Sequence, residues 1–454
     1  MAEFGISFGT DGWRAQGAEF TLDRVRAIGT GVGRYLDAHS VSGSVAIGYD
    51  SRDGSHEAAY ALAAALVACG RTPVVSTRDC PTPALAWVVA DGPFAGGLMV
   101  TASHNPPDYN GVKFLMADGS PALPAVTDEL ETLLSNPETA SERLSDIEQR
   151  AFHDPYLDAV CSTIAADLTG VRVIYDAMHG SGRGVTDEAL SRAGATVDRL
   201  RCTRDPAFGG TAPEPTPENA TALREHVEDG DADIGIINDG DADRVGVVTP
   251  ERGYLDANVL LAVLYEFLLE TRSGDVVRTV PTSSLVDRVA ESAGYRVHET
   301  PVGFKWVAAA MTEHDALFGG EESGGYGLTE HVPNKDGVLT AVLACAAESE
   351  RSLDARLDAL FETHGEIHQK QVSITCREAE KTARVAALAN APPSTVAGSE
   401  ISHVSTVDGV KLTLASGEWV LVRPSGTEPK IRIYAEASSE SRLSELLDSA
   451  RAFV

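Results

Sequence analysis

The apolar and polar residues of this chain follow a pattern that repeats three times. In each repeat a β-rich apolar run ends in a polar or glycine-containing loop, and a helical stretch and a second apolar run follow it. The three opening runs are VAIGYDSRDGS (45–55), VRVIYDAMHGSG (171–182) and DVVRTVPTSS (275–284). Strands that alternate with helices are typical of parallel sheets with helices on both faces.

Each repeat continues through a proline-bearing loop to a third apolar run, which leads into its most unusual loop. The three pairs of run and loop are GGLMV with TASHNP, ADIGIIN with DGDADR, and ALFGG with GGEESGGYG. Ligands of such sheets gather at the carboxyl ends of the strands. We therefore expect three α/β units that each present one loop to a shared central cleft.

The C-terminal part of the chain has a different pattern. Residues 404–437 alternate with turn signals at DG and SG, which predicts a β-meander, and SESRLSELLDSARAFV predicts a final helix. The predicted fold class is α/β, with three similar units of mixed, mostly parallel sheets and a C-terminal α+β domain. The predicted domains are 1–152, 153–254, 255–367 and 368–454, with joints in a polar stretch near 135–155, at PERG (250–253) and around ETHGE (362–366).

Composition narrows the class of protein. The chain has 454 residues, 37 of them basic and 67 acidic, for a net charge of −30, which disfavours nucleic acid and anionic membranes as partners. No apolar window is long enough for a membrane span, no secretory signal opens the chain, and the six cysteines form no CxxC pair. We expect a cytoplasmic monomer or homodimer. The acidic balance and the low lysine content are typical of a protein from a salt-loving microbe of the haloarchaeal kind.

The stretch MVTASHNPPDYNGVKF (99–114) runs from an apolar strand straight into polar residues. Pro106 and Pro107 remove two backbone donors, and Gly111 permits an unusual dihedral, so the segment after the strand is predicted to be an irregular loop. Ser103 lies on that loop at the carboxyl end of the strand. Taken alone, the stretch favours a simple turn whose polar side chains bind their own backbone.

The loop DGDADR (239–244) carries the clearest metal signal. Asp239, Asp241 and Asp243 alternate after an apolar strand, so their carboxylates can converge on a hard cation such as Mg²⁺. An EF-hand would need Gly where Arg244 stands and Glu where Pro250 stands, so that class is excluded. Arg244 can bind the same anion, such as a phosphate, that the metal binds. The alternative is a turn or a helix cap with surplus acid.

Two further loops suggest binding of a phosphorylated polyol. In GGEESGGYG (319–327), Glu321, Glu322 and Ser323 can accept hydrogen bonds from sugar hydroxyls, and His331 and Lys335 follow closely. RPSGTEPKIR (423–432) follows a strand, is not a Walker loop, and offers a concavity for an anion. Its candidate phosphate ligands are Arg423, Ser425, Gly426, Thr427 and Lys430. A hairpin turn is the alternative for this segment.

The few lysines of the chain support these sites. Four of the seven lie in glycine- or proline-rich stretches, namely Lys113, Lys305, Lys335 and Lys430. A chain that otherwise uses arginine can retain lysine where a compact ammonium is needed. Chance clustering is the alternative, and Lys370, Lys381 and Lys411 lie elsewhere.

Together these loops and their order resemble the α-D-phosphohexomutase superfamily, which covers phosphoglucomutase, phosphomannomutase and phosphoglucosamine mutase. The resemblance extends from FGTDGWRA at the N-terminus to RPSGTEPKIR near the C-terminus. It implies that TASHNP is the phosphoserine loop, DGDADR the metal loop, GEESGG the sugar loop and RPSGTEP the phosphate loop. It also implies one Mg²⁺ per chain, held by Ser103 and the three aspartates.

The resemblance further implies a reaction. Phospho-Ser103 gives its phosphoryl group to a hexose phosphate, and the resulting hexose 1,6-bisphosphate, such as glucose 1,6-bisphosphate, turns over in the cleft and returns its other phosphate. The implied catalytic residues are Ser103, Lys113, Arg14, His104 and Arg244. The residues expected to bind the sugar are Glu321, Ser323, Gly303, Lys305, His331 and Lys335.

The sugar loop also indicates which hexose is used. Gly325 stands where phosphomannomutase-like members often have histidine, and Glu322 stands where phosphoglucosamine mutases tend to have glutamine. GEESGGYGLTEHVPNKDG and TPVGFKW are closer to the phosphoglucomutase patterns, so we expect glucose, with mannose or glucosamine as the alternative. A sugar-phosphate sensor without catalysis and a phosphatase are the alternatives from other classes.

Overall fold

The computed structural model describes residues 4–135, 147–426 and 428–453, and these form four sheets. The strands of the first sheet are β1 (Trp13–Gln16), β2 (Ser44–Tyr49), β3 (Pro73–Ser76), β4 (Phe94–Val100), β5 (Tyr109–Leu115) and β6 (Glu148–Arg150). Their order is β1-β5-β4-β2-β3-β6. Strands β6, β3, β2 and β4 are parallel, whereas β5 returns antiparallel to β4 and β1 pairs antiparallel with β5.

The next two sheets repeat the centre of the first. The second contains β7 (Arg172–Asp176), β8 (Thr196–Leu200), β9 (Ile234–Asn238), β10 (Val245–Thr249) and β11 (Gly253–Tyr254). The third contains β12 (Val276–Thr279), β13 (Val297–Thr300), β14 (Phe318–Gly320) and β15 (Tyr326–Leu328). In each, the first strand lies between the second and third, all three are parallel, and the next strand returns antiparallel beside the third.

This repeated topology positions the unusual loops. The three loops of interest connect β4 to β5, β9 to β10 and β14 to β15. Each therefore starts at the carboxyl end of a parallel strand and ends in a hairpin partner. The predicted α/β class, with mixed and mostly parallel sheets in the first three units, is confirmed.

The fourth sheet is antiparallel throughout, as the alternating pattern predicts. Its strands are β16 (His368–Thr375), β17 (Thr395–Val396), β18 (Ser399–Ser405), β19 (Val410–Leu414), β20 (Trp419–Pro424) and β21 (Lys430–Ala437). Strands β18 to β21 form the meander, and β16 pairs with the far edge of β21. The RPSGTEPK segment begins in β20, which ends at Pro424, and reaches β21, which begins at Lys430.

Fourteen α-helices cover the sheets in the described part of the chain. They are α1 (Leu22–Ala38), α2 (Ser55–Ala68), α3 (Thr82–Asp91), α4 (Pro124–Leu133), α5 (His153–Ile164), α6 (Thr186–Arg192), α7 (Thr221–Glu228), α8 (Ala257–Leu269), α9 (Leu285–Ala293), α10 (Phe304–His314), α11 (Gly337–Glu350), α12 (Leu353–His364), α13 (Glu378–Asn390) and α14 (Glu440–Arg451). None of these helices is long and apolar enough to cross a bilayer.

One helix fixes the second and third units together. Helix α11 packs against α5, α6 and α8, so the two units share a hydrophobic core. The Asp336 carboxylate caps its N-terminus by accepting the N–H groups of Val338 and Leu339 at 3.0 and 2.8 Å. A Cβ at Gly337 would lie 2.4 Å from the Arg244 carbonyl oxygen, so glycine permits the metal loop to lie against this helix.

Two expectations about local backbone are wrong. Gly111 lies in β5 rather than in an irregular loop, and a Cβ there would lie 2.2 Å from the Trp13 carbonyl oxygen of β1. Glycine is needed for this close approach between strands, not for an unusual dihedral. The PERG turn is not a joint, because it connects β10 to β11 within the second sheet. Most of the predicted joint near 135–155 lies outside the described residues.

Candidate active site

Ser103 is buried at the carboxyl end of β4, in a strained backbone conformation. Its φ is +52°, a region that costs a non-glycine residue about 1–3 kcal/mol, so the surrounding contacts must hold it there. The Ser103 N–H donates to Thr101 Oγ1 at 2.8 Å. The hydroxyl donates to Asp239 Oδ2, also at 2.8 Å, and so joins the first unit to the second.

Asp239, Asp241 and Asp243 form a buried cluster that fits a divalent cation. One carboxylate oxygen of each lies within 4.8 Å of the others. The Oδ1 atoms of Asp241 and Asp243 are buried and have no hydrogen-bond partner within the described residues. Burial, with the charges of the other two aspartates, raises the pKa of Asp239 well above its usual value. Hard oxygen ligands with excess negative charge are the donor set that Mg²⁺ prefers.

Lys113 lies directly beside this cluster. Its Nζ is 2.9 Å from Asp241 Oδ2, 2.7 Å from Asp243 Oδ2 and 2.9 Å from Asp11 Oδ2. Burial alone would lower the pKa of Lys113, but the three carboxylates raise it well above its ordinary value, so the side chain stays an ammonium ion. The same ammonium keeps the pKa of Asp241 below its usual range despite burial.

Asp11 connects the N-terminal loop to the third unit. Its Oδ2 atom lies 3.1 Å from Lys335 Nζ and 3.5 Å from Arg14 Nη2. Arg14 in turn donates to Asn105 Oδ1 at 2.5 Å, two residues beyond Ser103. The sequence reasoning placed Arg14 and Lys335 at the site but missed Asp11, although it stands inside the quoted FGTDGWRA stretch. Its signal was an acidic residue in a short segment between two glycines, Gly9 and Gly12.

His104 contacts Ser103, and Arg244 contacts Asp239. His104 Nδ1 is 3.3 Å from Ser103 Oγ. Burial and the nearby cations Arg244 and Arg14 lower the pKa of His104 well below its usual value, so the imidazole is neutral. The Arg244 N–H donates to Asp239 Oδ1 at 3.1 Å, and its guanidinium lies 3.5 Å from Glu214.

The predicted sugar loop packs against the metal loop. The Val245 N–H, directly after DGDADR, donates to the Gly324 carbonyl at 3.0 Å. Glu321 accepts the Gly303 N–H at 3.0 Å, and burial raises its pKa to about 7. Glu322 accepts the Thr279 hydroxyl at 2.8 Å, and Ser323 is half-buried in the same turn.

Lys305 and His331 occupy different surroundings. Lys305 lies in the first turn of α10, and its Nζ donates to the Gly9 carbonyl at 3.4 Å, beside the N-terminal loop. The contacts of His331 are to Thr163 at 3.4 Å, to Asp336 at 3.3 Å and to the Tyr156 ring. The structure therefore places His331 in the packing between α5 and α11, and not among the charged groups of the cluster, because it contacts Asp336, the N-cap residue of α11.

The RPSGTEPK turn carries the predicted phosphate ligands. Arg423 Nη2 lies 2.8 Å from Asp408 Oδ2, which also accepts the Val302 N–H at 3.1 Å, next to Gly303. The Ser425 N–H donates to the Lys430 carbonyl at 2.9 Å, and Lys430 Nζ lies 2.7 Å from Glu428. Gly426 is exposed, with open space around its Cα. Thr427 lies outside the described residues.

Lys381 holds this turn through two hydrogen bonds to its backbone. Its buried Nζ donates to the Ser425 carbonyl at 2.5 Å and to the Glu428 carbonyl at 3.2 Å. Sequence reasoning grouped Lys381 with the lysines outside the sites. Its role was hidden because it lies on α13, far along the chain from the turn that it holds.

The site and fold together define an enzyme of the phosphohexomutase class: three α/β units and an antiparallel domain with a buried serine on an aspartate cluster. Family models confirm this, since those for phosphoglucomutase/phosphomannomutase domains I, II and III and the C-terminal domain match residues 5–141, 154–253, 256–364 and 372–452. The chain belongs to the phosphoglucomutase/phosphomannomutase family, within the α-D-phosphohexomutases.

Several relatives are similar over nearly their whole length. The "Probable phosphoglucosamine mutase" of Methanopyrus kandleri is 34% identical over 98% of this chain and 96% of its own. A "Phosphoglucomutase/phosphomannomutase" of Thermococcus kodakarensis is 30% identical over 98% and 97%. A crystal structure from Thermus thermophilus, solved under the name phosphomannomutase, matches with a TM-score of 0.85 and 31% identity over 98% of both chains.

Proposed function

We propose that this enzyme interconverts hexose 1-phosphate and hexose 6-phosphate through a phosphorylated Ser103 and a hexose 1,6-bisphosphate. The observation that carries this proposal is the Ser103 hydroxyl, 2.8 Å from Asp239 within a cluster of three buried carboxylates. A nucleophilic hydroxyl beside a hard-cation site suits phosphoryl transfer, which depends mainly on positioning and electrostatic stabilisation.

The proposed transfer uses groups already at the serine. The free sugar hydroxyl attacks the phosphorus of phospho-Ser103 and loses its proton, and the bond from Ser103 Oγ to phosphorus breaks. The released Ser103 Oγ takes up a proton, and His104, whose Nδ1 lies 3.3 Å from that oxygen, is within reach to donate it. Lys113, Arg14 and Arg244 offset negative charge on the transferring group. Mg²⁺ bound by Ser103, Asp239, Asp241 and Asp243 would withdraw electron density from the phosphoryl oxygens.

The second half of the reaction returns the other phosphate. The bisphosphate turns over in the cleft and phosphorylates Ser103 again, so the enzyme needs a second place for phosphate. The residues of the RPSGTEPK segment are proposed to hold the phosphate that is not being transferred, namely Arg423, Ser425, Gly426, Thr427 and Lys430. Glu321, Ser323, Gly303, Lys305 and Lys335 are proposed to bind the sugar.

The names of the relatives favour glucosamine phosphate as the substrate over the glucose phosphate expected from the sequence. Glucose phosphate is the second candidate, since GEESGGYGLTEHVPNKDG and TPVGFKW resemble phosphoglucomutase patterns.

One experiment tests the activity and ranks the substrates. Wild-type enzyme with Mg²⁺ is given the 1-phosphates of glucosamine, glucose and mannose separately, and formation of each 6-phosphate is followed. We expect the highest kcat/KM with glucosamine 1-phosphate. Intact mass after incubation with a hexose 1,6-bisphosphate should show one added phosphoryl group in wild type and none in Ser103→Ala.

Each alternative class gives a different result in these measurements. Release of inorganic phosphate without the 6-phosphate would indicate a phosphatase, and binding without turnover would indicate a sensor. A wild-type mass that stays unmodified at full activity would remove Ser103 from the mechanism.

A further inference from the structure

Arg52, just after β2, is an arginine buried to 1% exposure, and all five of its N–H donors have acceptors. Four of these acceptors are backbone carbonyls of the Ser103 loop. The Nη2 group donates to Ser103 at 2.6 Å and to Asn105 at 2.7 Å, and Nη1 donates to Pro106 at 2.6 Å and to Tyr109 at 3.0 Å. One side chain therefore binds the loop from its serine to the start of β5.

The fifth donor of Arg52 connects it to a carboxylate that holds the same loop from the other side. Its Nε donates to Asp50 Oδ2 at 3.1 Å, and Asp50 also accepts the Thr101 hydroxyl at 2.7 Å. Thr101 Oγ1 in turn accepts the Ser103 N–H at 2.8 Å. Both the N–H and the carbonyl of Ser103 are thus bound to groups that meet at Asp50.

Residues of the second unit contact Arg52 and its neighbour Ser51. The Arg52 guanidinium lies 4.9 Å from the centre of the Phe208 ring, and the neighbouring Ser51 hydroxyl donates to the His179 carbonyl at 3.1 Å. Asp239, which accepts the Ser103 hydroxyl, belongs to that second unit. Arg52 therefore holds the serine loop at the same interface across which the serine must face the metal loop.

We propose that Arg52 is a positioning residue that fixes the Ser103 backbone in its left-handed conformation and so aims Oγ at the metal loop. Ser103 has φ +52°, which a free loop would leave for a more favourable region. Lysine has a charge but only three donors without the planar fork, so it cannot replace the five contacts. This inference rests on the proposed function, since the aim of Ser103 matters because it carries the phosphoryl group.

The test compares Arg52→Lys with a matched control, Arg356→Lys. Arg356 is also buried, at 4% exposure, donates to the Ala347 carbonyl at 3.1 Å and lies 4.8 Å from the Phe267 ring. Among the residues that the structure describes, it contacts none of the active-site loops. We expect Arg52→Lys to lower kcat by about 100-fold, the scale of a misplaced reacting group, with KM changed less than about threefold. Arg356→Lys should lower Tm with kcat near wild type.

A second measurement reads the loop directly. Amide exchange of residues 101–105, 108 and 109, which carry the backbone N–H groups of this loop, should be at least tenfold faster in Arg52→Lys than in wild type and in Arg356→Lys. Thr101→Val removes the other support of Ser103 with little change in shape, so it should show the same loss of kcat if Arg52→Lys fails to fold.

Two results would overturn the proposal: wild-type kcat in folded Arg52→Lys, or a loss of kcat in Arg356→Lys equal to that in Arg52→Lys. A wild-type enzyme without mutase activity would instead refute the proposed function. The amide exchange of the loop would still decide whether Arg52 holds Ser103.

Discussion

At the scale of single residues, the site is built from charges that are stable only together. Lys113 is an ammonium because Asp11, Asp241 and Asp243 surround it, and Asp239 carries a raised pKa because it is buried with two other carboxylates nearby. Changing one member should therefore alter the others through charge, without a large change in packing.

Asp239→Asn tests the metal cluster. In chelator, asparagine replaces a carboxyl group whose raised pKa already favours its neutral form, so Tm should be unchanged or higher than in wild type. With Mg²⁺, Tm should rise for wild type but not for the variant, and kcat should fall by at least about 100-fold. Thermal unfolding with and without Mg²⁺ measures this.

The control for that prediction is Asp354→Asn. Asp354 is a buried aspartate that accepts the Thr249 hydroxyl at 2.7 Å, away from the cluster. Its variant should lose stability and keep the Mg²⁺ response. An undiminished Mg²⁺-dependent rise in Tm for Asp239→Asn would contradict the metal assignment.

Glu321→Gln tests the raised pKa in the sugar loop. The pKa of Glu321 rises from its ordinary value of 4.5 to about 7 on folding, so the folded state retains a proton that the unfolded chain releases between these values. Wild type therefore loses stability relative to the variant as pH rises from 4.5 to 7, by at most about 3 kcal/mol at 1.36 kcal/mol for each pKa unit.

We expect Glu321→Gln to match wild type in stability near pH 4.5 and to exceed it at pH 8. Urea unfolding of both proteins at several pH values measures the difference. A difference that does not change with pH would show that Glu321 ionises as an ordinary exposed glutamate does.

At the scale of elements, hairpin turns carry the candidate chemistry. Three turns follow parallel strands in the α/β units, and the fourth joins β20 to β21 in the C-terminal sheet. The fourth turn contacts the third unit through Asp408, which binds both Arg423 and the Val302 N–H. The Arg423–Asp408 ion pair therefore connects the proposed phosphate ligand to the contact between these two units.

Arg423→Ala should weaken binding of the hexose phosphate by about 2–3 kcal/mol, because it removes a charge-assisted contact. This corresponds to an increase in KM of about 30- to 150-fold, measured in the mutase assay. Phosphorylation of Ser103 by the bisphosphate should still occur. The control is Arg384→Ala, because Arg384 is an exposed arginine that pairs with Glu380 on α13. This variant should keep the wild-type KM. An unchanged KM in Arg423→Ala would favour the simple hairpin turn.

At the scale of the whole molecule, the net charge of −30 should make stability depend on salt. The Debye length falls from about 10 Å at 0.1 M salt to about 3 Å at 1 M, which screens repulsion between surface carboxylates. We expect Tm to rise between 0.1 and 1 M KCl. A sucrose series of equal osmolality is the control, and a flat or falling Tm in KCl would contradict the prediction.

The sequence by itself determined the order of elements and the chemistry of each loop. The spacing of the apolar residues identified the repeated units and the C-terminal meander. This is possible because the residues of a strand themselves show, by their alternation, whether one or both of its faces are buried. Asp239, Asp241 and Asp243 could be recognised together because they are neighbours in one loop.

Only the tertiary structure decided which distant groups meet. Arg52 contacts a loop about 50 residues away, Asp11 pairs with Lys335 more than 300 residues along the chain, and His331 turns into the packing of α11. Gly111 is needed because another strand approaches it, which no neighbour in sequence reveals. The physical reason is that hydrogen bonds and charge pairs act over a few ångströms in space, so partners distant in sequence are set by how the sheets and helices pack.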